Sequence, residues 1–469
     1  MAKEHPLGKA LNNTMIKEVP SYGNKFFYSL GFLTMISFVV LIVTGVIMAF
    51  FGPTWWLTDG LGKYLRSAHL WATQAFVLFM ILHLLIVFFT SGFKKPRRLT
   101  WMLGVIMLFV ALAETEFGYA LRGDFSSQWR SLQGADFYNG GGLGHLINPL
   151  NYKQIYGIHI VVVPLVIIGL LFLHYLLVRV LGIAKPYRND VTVRTVPANH
   201  TLLFARGGVL IILILALALL LPSPYIKPTS IQSVAGQDPL LVSKTLVAEF
   251  DGSSDTATYL DNIDPYTYNL RRVYIDSPYE QYLHTQASKT DALQQFNAET
   301  PSVQTQQLQA ASDYFGQDTP GTSKLPHSPV MTIVSSLTTM AQAGLYEPAL
   351  ADANSNGIHA DESTYTTRFL ADTGVLEDKA TSLNITTDQY GMVREETGKT
   401  PGAWWLSPIG LLNHTVLSGD DNGDRDAAIM FGSLLLTMLA FPFIPYLNQL
   451  PDKLKVYKLI WHEKKLKSQ

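Results

Sequence analysis

Four histidines stand inside apolar runs, where an imidazole without a partner costs several kcal/mol. RSAHLWATQAFVLFMILHLLIVFF (66–89) holds His69 and His83, and YGIHIVVVPLVIIGLLFLHYLLVR (156–179) holds His159 and His174. Fourteen helical residues put the first two rings ~21 Å apart along the axis and about 40° from alignment. One helix face therefore offers two imidazoles, each near a different membrane surface. His159 and His174 are fifteen apart, and Pro164 between them is expected to kink the helix and absorb the odd residue. The two runs are expected to lie parallel, so His69 faces His159 and His83 faces His174. Two stacked bis-imidazole sites suit two non-covalent haem groups held by axial nitrogens in a helical bundle.

Glycines repeat at the same interval. Gly31 and Gly45 are fourteen apart in the run before this pair, and Gly104 and Gly118 are fourteen apart between the two histidine runs. A flat macrocycle slotted between helices needs close backbone approach, and glycine permits it. One repeated spacing over four consecutive helices separates this pattern from the ordinary use of glycine to pack membrane helices. A haem-free transporter with histidines that relay protons is the alternative from another functional class.

The elements that must position these groups are legible in composition. Of 469 residues, 48% are hydrophobic and 15% charged, well below the charge of a soluble protein. Six apolar runs reach bilayer length, about 27–51, 68–92, 99–121, 155–182, 203–222 and 427–447. The first starts late and is too long for the apolar core of a leader, so no cleaved signal is expected. Cysteine is absent, which excludes disulfides, iron–sulfur ligation and covalent haem attachment through this chain. The net charge of −1 hides a polarised chain: 223–426 carries 26 acidic and 11 basic residues, leaving 10 acidic and 24 basic elsewhere. The basic residues gather before the first run, in KKPRR (94–98), after the fourth run and in the tail from Lys453. These segments share one side if all six runs cross, and the positive-inside rule makes that side cytoplasmic.

The expected fold is an all-α integral membrane protein: a four-helix dihaem bundle, two further transmembrane helices and a large extracytoplasmic insertion. The divisions are 1–200 for the dihaem unit, 201–222 for the fifth span, 223–426 for the acidic insertion, and 427–469 for the sixth span and basic tail. Amphipathic helices are expected near 288–315 and 328–350. DANSNGIHADE (352–362) reads as an Asn/Asp/Gly turn, because its glutamate falls one position early for a calcium loop. The protein is expected in the plasma membrane with both termini cytoplasmic.

In these motifs the sequence resembles cytochrome b, the dihaem subunit of bc-type quinol-oxidising complexes. The resemblance rests on Gly31/Gly45, Arg66-x-x-His69, His83, PRRLTW (96–101), Gly104/Gly118 with GYALRGD (118–124), and His159, Pro164 and His174. It covers 20–185 strongly, and the 14 and 15 spacings are similar to the short, split form of chloroplasts and related bacteria. The resemblance implies that His69 and His159 ligate the low-potential haem b near the outer face, and that His83 and His174 ligate the high-potential one. It implies that Arg66 pairs with a propionate, and that His200 and Arg206 line an inner quinone site, although Gly207 stands where the family has an acid. It further implies a quinone or menaquinone substrate, lipid surroundings, a Rieske-type or cytochrome c partner and a dimeric multisubunit complex, without nucleic acid.

The departure lies at the outer quinol site. The family's Pro-Glu-Trp-Tyr is matched here by PGAWWLSPIG (401–410), with Ala403 in the place of the acid. Glu114 and Glu116 in ALAETEFGYALRGD (111–124) are the candidate replacement proton acceptors, because an acid at that depth is costly unless paired or used. Two rivals follow: a cytochrome b exchanging electrons directly with an outer redox subunit, and a binding module in 223–426 anchored by the helices.

Overall fold

Six helices are long and apolar enough to cross a membrane: Phe26–Phe51, Gly60–Phe89, Arg98–Ala120, Tyr152–Leu181, His200–Leu220 and Arg425–Phe443. They reproduce the six expected runs. In this computed structural model the described residues are 16–184, 194–262, 268–284, 291–317, 327–351, 361–386, 393, 400–420 and 422–461. Most of the 352–362 turn, and the basic residues Lys3, Lys9, Lys185, Arg188 and those beyond 461, lie outside them.

We label the helices that position the site α1 (Leu30–Phe51), α2 (Gly60–Phe89) and α3 (Arg98–Ala120). A short amphipathic helix follows as α4 (Phe125–Gly140), then α5 (Tyr152–Leu181) and α6 (His200–Leu220). Helix α2 starts eight residues before its apolar run because Asp59 caps it, accepting from the amides of Leu61 (2.9 Å) and Gly62 (3.1 Å). Helix α1 packs along α2, and α3 along α5, which brings each glycine-bearing helix beside a histidine-bearing one.

The loops gather at two ends. At one, β1 (Glu18–Pro20) pairs antiparallel with β2 (Thr195–Pro197). There Arg97 donates to the carbonyl of Leu181 at 2.7 Å, and Lys94 forms an ion pair with Asp452. The N-terminal segment, the α2–α3 loop, the α5–α6 connection and the tail thus meet at one end, as the charge pattern requires. The other end carries α4 and the insertion. Phe125 and Trp129 of α4 share a buried core with residues of the insertion from Ile231 to Ile385.

The insertion is a helical body whose core includes α7 (Pro239–Asp251), α8 (Pro329–Gln342) and α9 (Glu362–Asp372). The helix expected over 288–315 is two, Ala292–Ala298 and Pro301–Phe315, because Pro301 disfavours helix in the residue before it. The helix expected over 328–350 likewise divides, into α8 and Tyr346–Ala351. After the insertion, α10 (Gly423–Ala440) returns through the membrane, and Trp101 donates from α3 to the Met438 carbonyl at 2.8 Å.

Candidate functional site

The fifteen-residue interval in α5 is absorbed in the backbone around His159 itself. Residues Ile158–Val162 form one π-helical turn, in which the Val163 amide donates to the Ile158 carbonyl five residues back. Pro164 follows directly. The expected kink is therefore realised as a wide turn, a device that recurs at functional sites.

This turn sets His159 opposite His69, with ring centroids 6.3 Å apart and planes crossing at 73°. Two imidazoles on opposite sides of one metal ion, each bonded at about 2 Å, place their ring centres roughly 6 Å apart. The four glycines then sort themselves one to each histidine. A Cβ on Gly31 would lie 3.1 Å from the His83 ring, and on Gly45, 3.3 Å from His69. On Gly104 it would lie 3.5 Å from His174, and on Gly118, 2.9 Å from His159. Each glycine leaves room for one imidazole ring, at two levels of the bundle.

The second ring nitrogens have defined surroundings. His69 Nδ1 is 2.8 Å from Thr44 Oγ1, which directs its Nε2 away from that contact. His159 Nδ1 lies 3.0 Å from Glu114 Oε1. The ring N–H direction misses the oxygen, so this is a close polar contact and not an aligned hydrogen bond. The glycine clearances and the 6.3 Å separation together fit a planar group held between the rings.

The remaining predicted residues occupy the two ends. Arg66 and Arg122 each place an Nη2 at 2.7 Å from Asp124 Oδ2, and the Asp124 side chain is fully buried. Both guanidinium groups also donate to the Pro224 carbonyl, at 3.1 and 3.3 Å. Arg66 is thus held in an Arg–Asp–Arg triad with a net charge of +1. Glu116 sits 3.9 Å from Arg130 and against the Trp405 indole. Trp405 packs on Tyr119, with ring centroids 6.4 Å apart. Gln74 of α2 fixes the same segment, donating to the carbonyls of Pro401 and Gly402 at 3.1 Å each and accepting from Trp404 at 2.9 Å. Ala403 is fully buried there. At the opposite end, His200 Nε2 is 3.0 Å from the Ile16 carbonyl, and Arg206 donates to the Asn24 carbonyl at 3.1 Å and to Ser29.

Sequence reasoning passed over Asp124, Arg130, Thr44 and Gln74, and offered Arg122 as a partner for Glu114 or Glu116, whereas it pairs with Asp124. Asp124 carried a signal, since D-x-x-S is a capping box: its side chain and that of Ser127 close reciprocal bonds at 3.0 Å.

Residues 74–231 match the profile described as "Cytochrome b(N-terminal)/b6/petB". The cytochrome b6 of Heliobacterium mobile is 33% identical over 204 residues, covering 38% of this chain and 95% of that protein. The chain belongs to the cytochrome b family. It is therefore a multi-pass membrane protein that binds haem b. The cytochrome b6 of Rippkaea orientalis is 32% identical over 197 residues, covering 36% of this chain and 86% of that protein. That of Oltmannsiellopsis viridis is 34% identical over 194, covering 36% and 89%. A solved structure titled "Hyperthermophilic respiratory Complex III" shares 15% identity at a TM-score of 0.38, over 73% of this chain and 95% of that one. The sixth span and all of the insertion after residue 231 lie beyond the profile match.

Proposed function

We propose that this chain is the dihaem subunit of a respiratory bc-type complex in the plasma membrane, and that it carries electrons across the bilayer between the quinone pool and redox partners at the outer face. Both termini are cytoplasmic in this reading, and the acidic insertion 223–426 lies outside. Haem b, when bound, supplies one-electron redox chemistry at two depths. His69 with His159, and His83 with His174, would hold the two haem irons through ring nitrogens. Gly31, Gly45, Gly104 and Gly118 give the rings their space, and the +1 triad of Arg66, Arg122 and Asp124 offers a propionate a positive end. The observation that carries this reading is the one-to-one facing of four glycines and four histidines at two levels.

At the outer face Glu116 is the candidate proton acceptor for quinol. It reaches, from α3, the Trp405 segment in which Ala403 replaces the family's acid. At the inner face His200 and Arg206 mark the second quinone site. The outer partner is a Rieske-type or cytochrome c subunit in a dimeric complex, and the acidic insertion favours a basic docking face. A second reading is favoured by the burial of Ala403 and by the insertion capping the outer end through Pro224. In it the chain exchanges electrons directly with an outer subunit, and no quinol is oxidised there.

The test is haem content with a reduced-minus-oxidised spectrum of the purified chain. Two haems per chain, released by acid acetone, are expected, and His83→Ala should remove the inner one alone. One haem per chain, or haem that resists extraction, would refute the four-histidine assignment.

A further inference from the structure

Two of the imidazoles have a polar side chain at contact distance from Nδ1 across the helix interface. At His69 it is the Thr44 hydroxyl, 2.8 Å away on the turn that carries Gly45. At His159 it is the Glu114 carboxylate, 3.0 Å away. Glu114 lies four residues before Gly118, and residues four apart lie above one another on one helix face. The glycine therefore opens space for the ring and the preceding turn brings the acid beside it. The two neighbours differ in charge: a neutral hydroxyl in one case and the side chain of an acid in the other.

We infer that Glu114 is a positioning residue for His159, and that its carboxylate gives the haem of the outer histidine pair a lower reduction potential than a neutral acceptor would. The inference rests on the haem reading above and gives Glu114 a role separate from quinol. Glu114 Oε1 stands 3.0 Å from the outer ring nitrogen of His159, and a carboxylate at that place beside a ligating histidine holds the ring and makes it a stronger electron donor to its metal. An anion close to the site also favours the oxidised form, which carries one more positive charge, and low local polarity strengthens that effect. The carboxylate contact falls on the pair nearer the insertion. The His69/His159 site is thereby biased to release electrons. The geometry around Glu114 supports this assignment over proton acceptance. Its carboxylate stands 3.0 Å from His159 Nδ1, whereas that of Glu116 stands 3.9 Å from Arg130.

The test is a redox titration of the full haem-loaded chain, followed optically and by low-spin EPR, for Glu114→Gln and Glu114→Asp. The glutamine variant should hold two haems. Its outer haem should shift at least tenfold toward the reduced form at a given potential, which is 59 mV for a one-electron couple. The EPR signal of that haem should move, the inner haem should keep both values, and Glu114→Asp should restore most of the shift. Loss of the outer haem in the glutamine variant, with recovery in the aspartate variant, would also support the role. Two retained haems with unmoved potentials would overturn it, as would equal haem loss in both variants. Failure of the haem reading is distinguishable, because the parent chain would then hold no haem at the outer pair.

Discussion

Asp124 joins the membrane bundle to the insertion, and one substitution isolates its charge. Asparagine at 124 still caps α4 by accepting from the Ser127 amide, since Asn and Asp are equivalent caps. What it removes is the negative charge between Arg66 and Arg122, whose side chains are 10% and 9% exposed. Breaking a buried pair by removing one partner costs about 3–5 kcal/mol, because the remaining charge is left uncompensated. Both guanidinium groups also hold the Pro224 carbonyl, and the Phe125 amide donates to the Ile226 carbonyl at 2.9 Å. The cost therefore falls on the docking of α4 and the insertion against the bundle.

At about 3 kcal/mol the undocked fraction rises by roughly two orders of magnitude. Hydrogen exchange of the α4 amides, or proteolysis of the insertion where cleavage follows the open population, should accelerate by that factor. Asp124→Ala loses the cap as well and should cost about 1 kcal/mol more. Glu280→Gln is the control: its partner Arg272 is 2.9 Å away, but both side chains are about half exposed, and such pairs contribute about 1 kcal/mol or less. If Asp124→Asn left the α4 exchange rates within about threefold of the parent, the triad would not be what joins the two parts.

Gly118→Ala places a methyl 2.9 Å from the His159 ring, whereas Gly104→Ala meets His174 at an ordinary 3.5 Å. The first should lower or abolish outer-haem content, and the second should leave both haems in place by spectrum and haem assay. Glu116→Gln should slow quinol-driven haem reduction by ~10²–10⁴ without changing haem content. An unchanged rate in a parent that oxidises quinol would refute that role, and a parent with no quinol oxidation would favour direct exchange. In the insertion, Glu249 is 1% exposed, and burial followed by the neighbouring Asp372 carboxyl raises its pKa well above the ordinary value. A raised folded-state pKa means that the stabilisation is complete below the ordinary carboxyl value near 4.5 and is lost as pH rises through the folded-state value. Denaturation of the insertion should therefore become easier with rising pH over that window, and Glu249→Gln should flatten the dependence.

What the sequence made legible is what the bilayer imposes. A spanning helix must be long and apolar, so six runs and their alternation of basic loops stand out without tertiary knowledge. Histidines and glycines at one repeated interval stand out against such a background. The triad was not legible, because Asp124 acquires its role from Arg66, 58 residues away. In sequence Asp124 is only the last residue of GYALRGD. Helix α4 was overlooked for a related reason: its buried residues Phe125 and Trp129 make sense only once the insertion supplies the other half of the core. The Glu116 contact with Trp405 joins residues separated by most of the chain, and no local pattern announces it.

The odd residue between His159 and His174 shows how a sequence irregularity becomes a local feature with a purpose. Fifteen regular steps would turn the second imidazole about 100° farther round the helix than fourteen do. The two ring pairs would then not face each other at both levels. One residue taken up in the wide turn at Ile158–Val162 leaves fourteen effective steps, the interval that separates His69 from His83. Pro164 lies directly after that turn, where a missing amide hydrogen is tolerated because the regular bonding pattern is already interrupted. The same turn presents His159 to Gly118 and to Glu114, four residues apart on α3. Register, clearance and acceptor at the outer pair are thus set by one short stretch of α5 and one turn of α3. A single irregularity there serves all three.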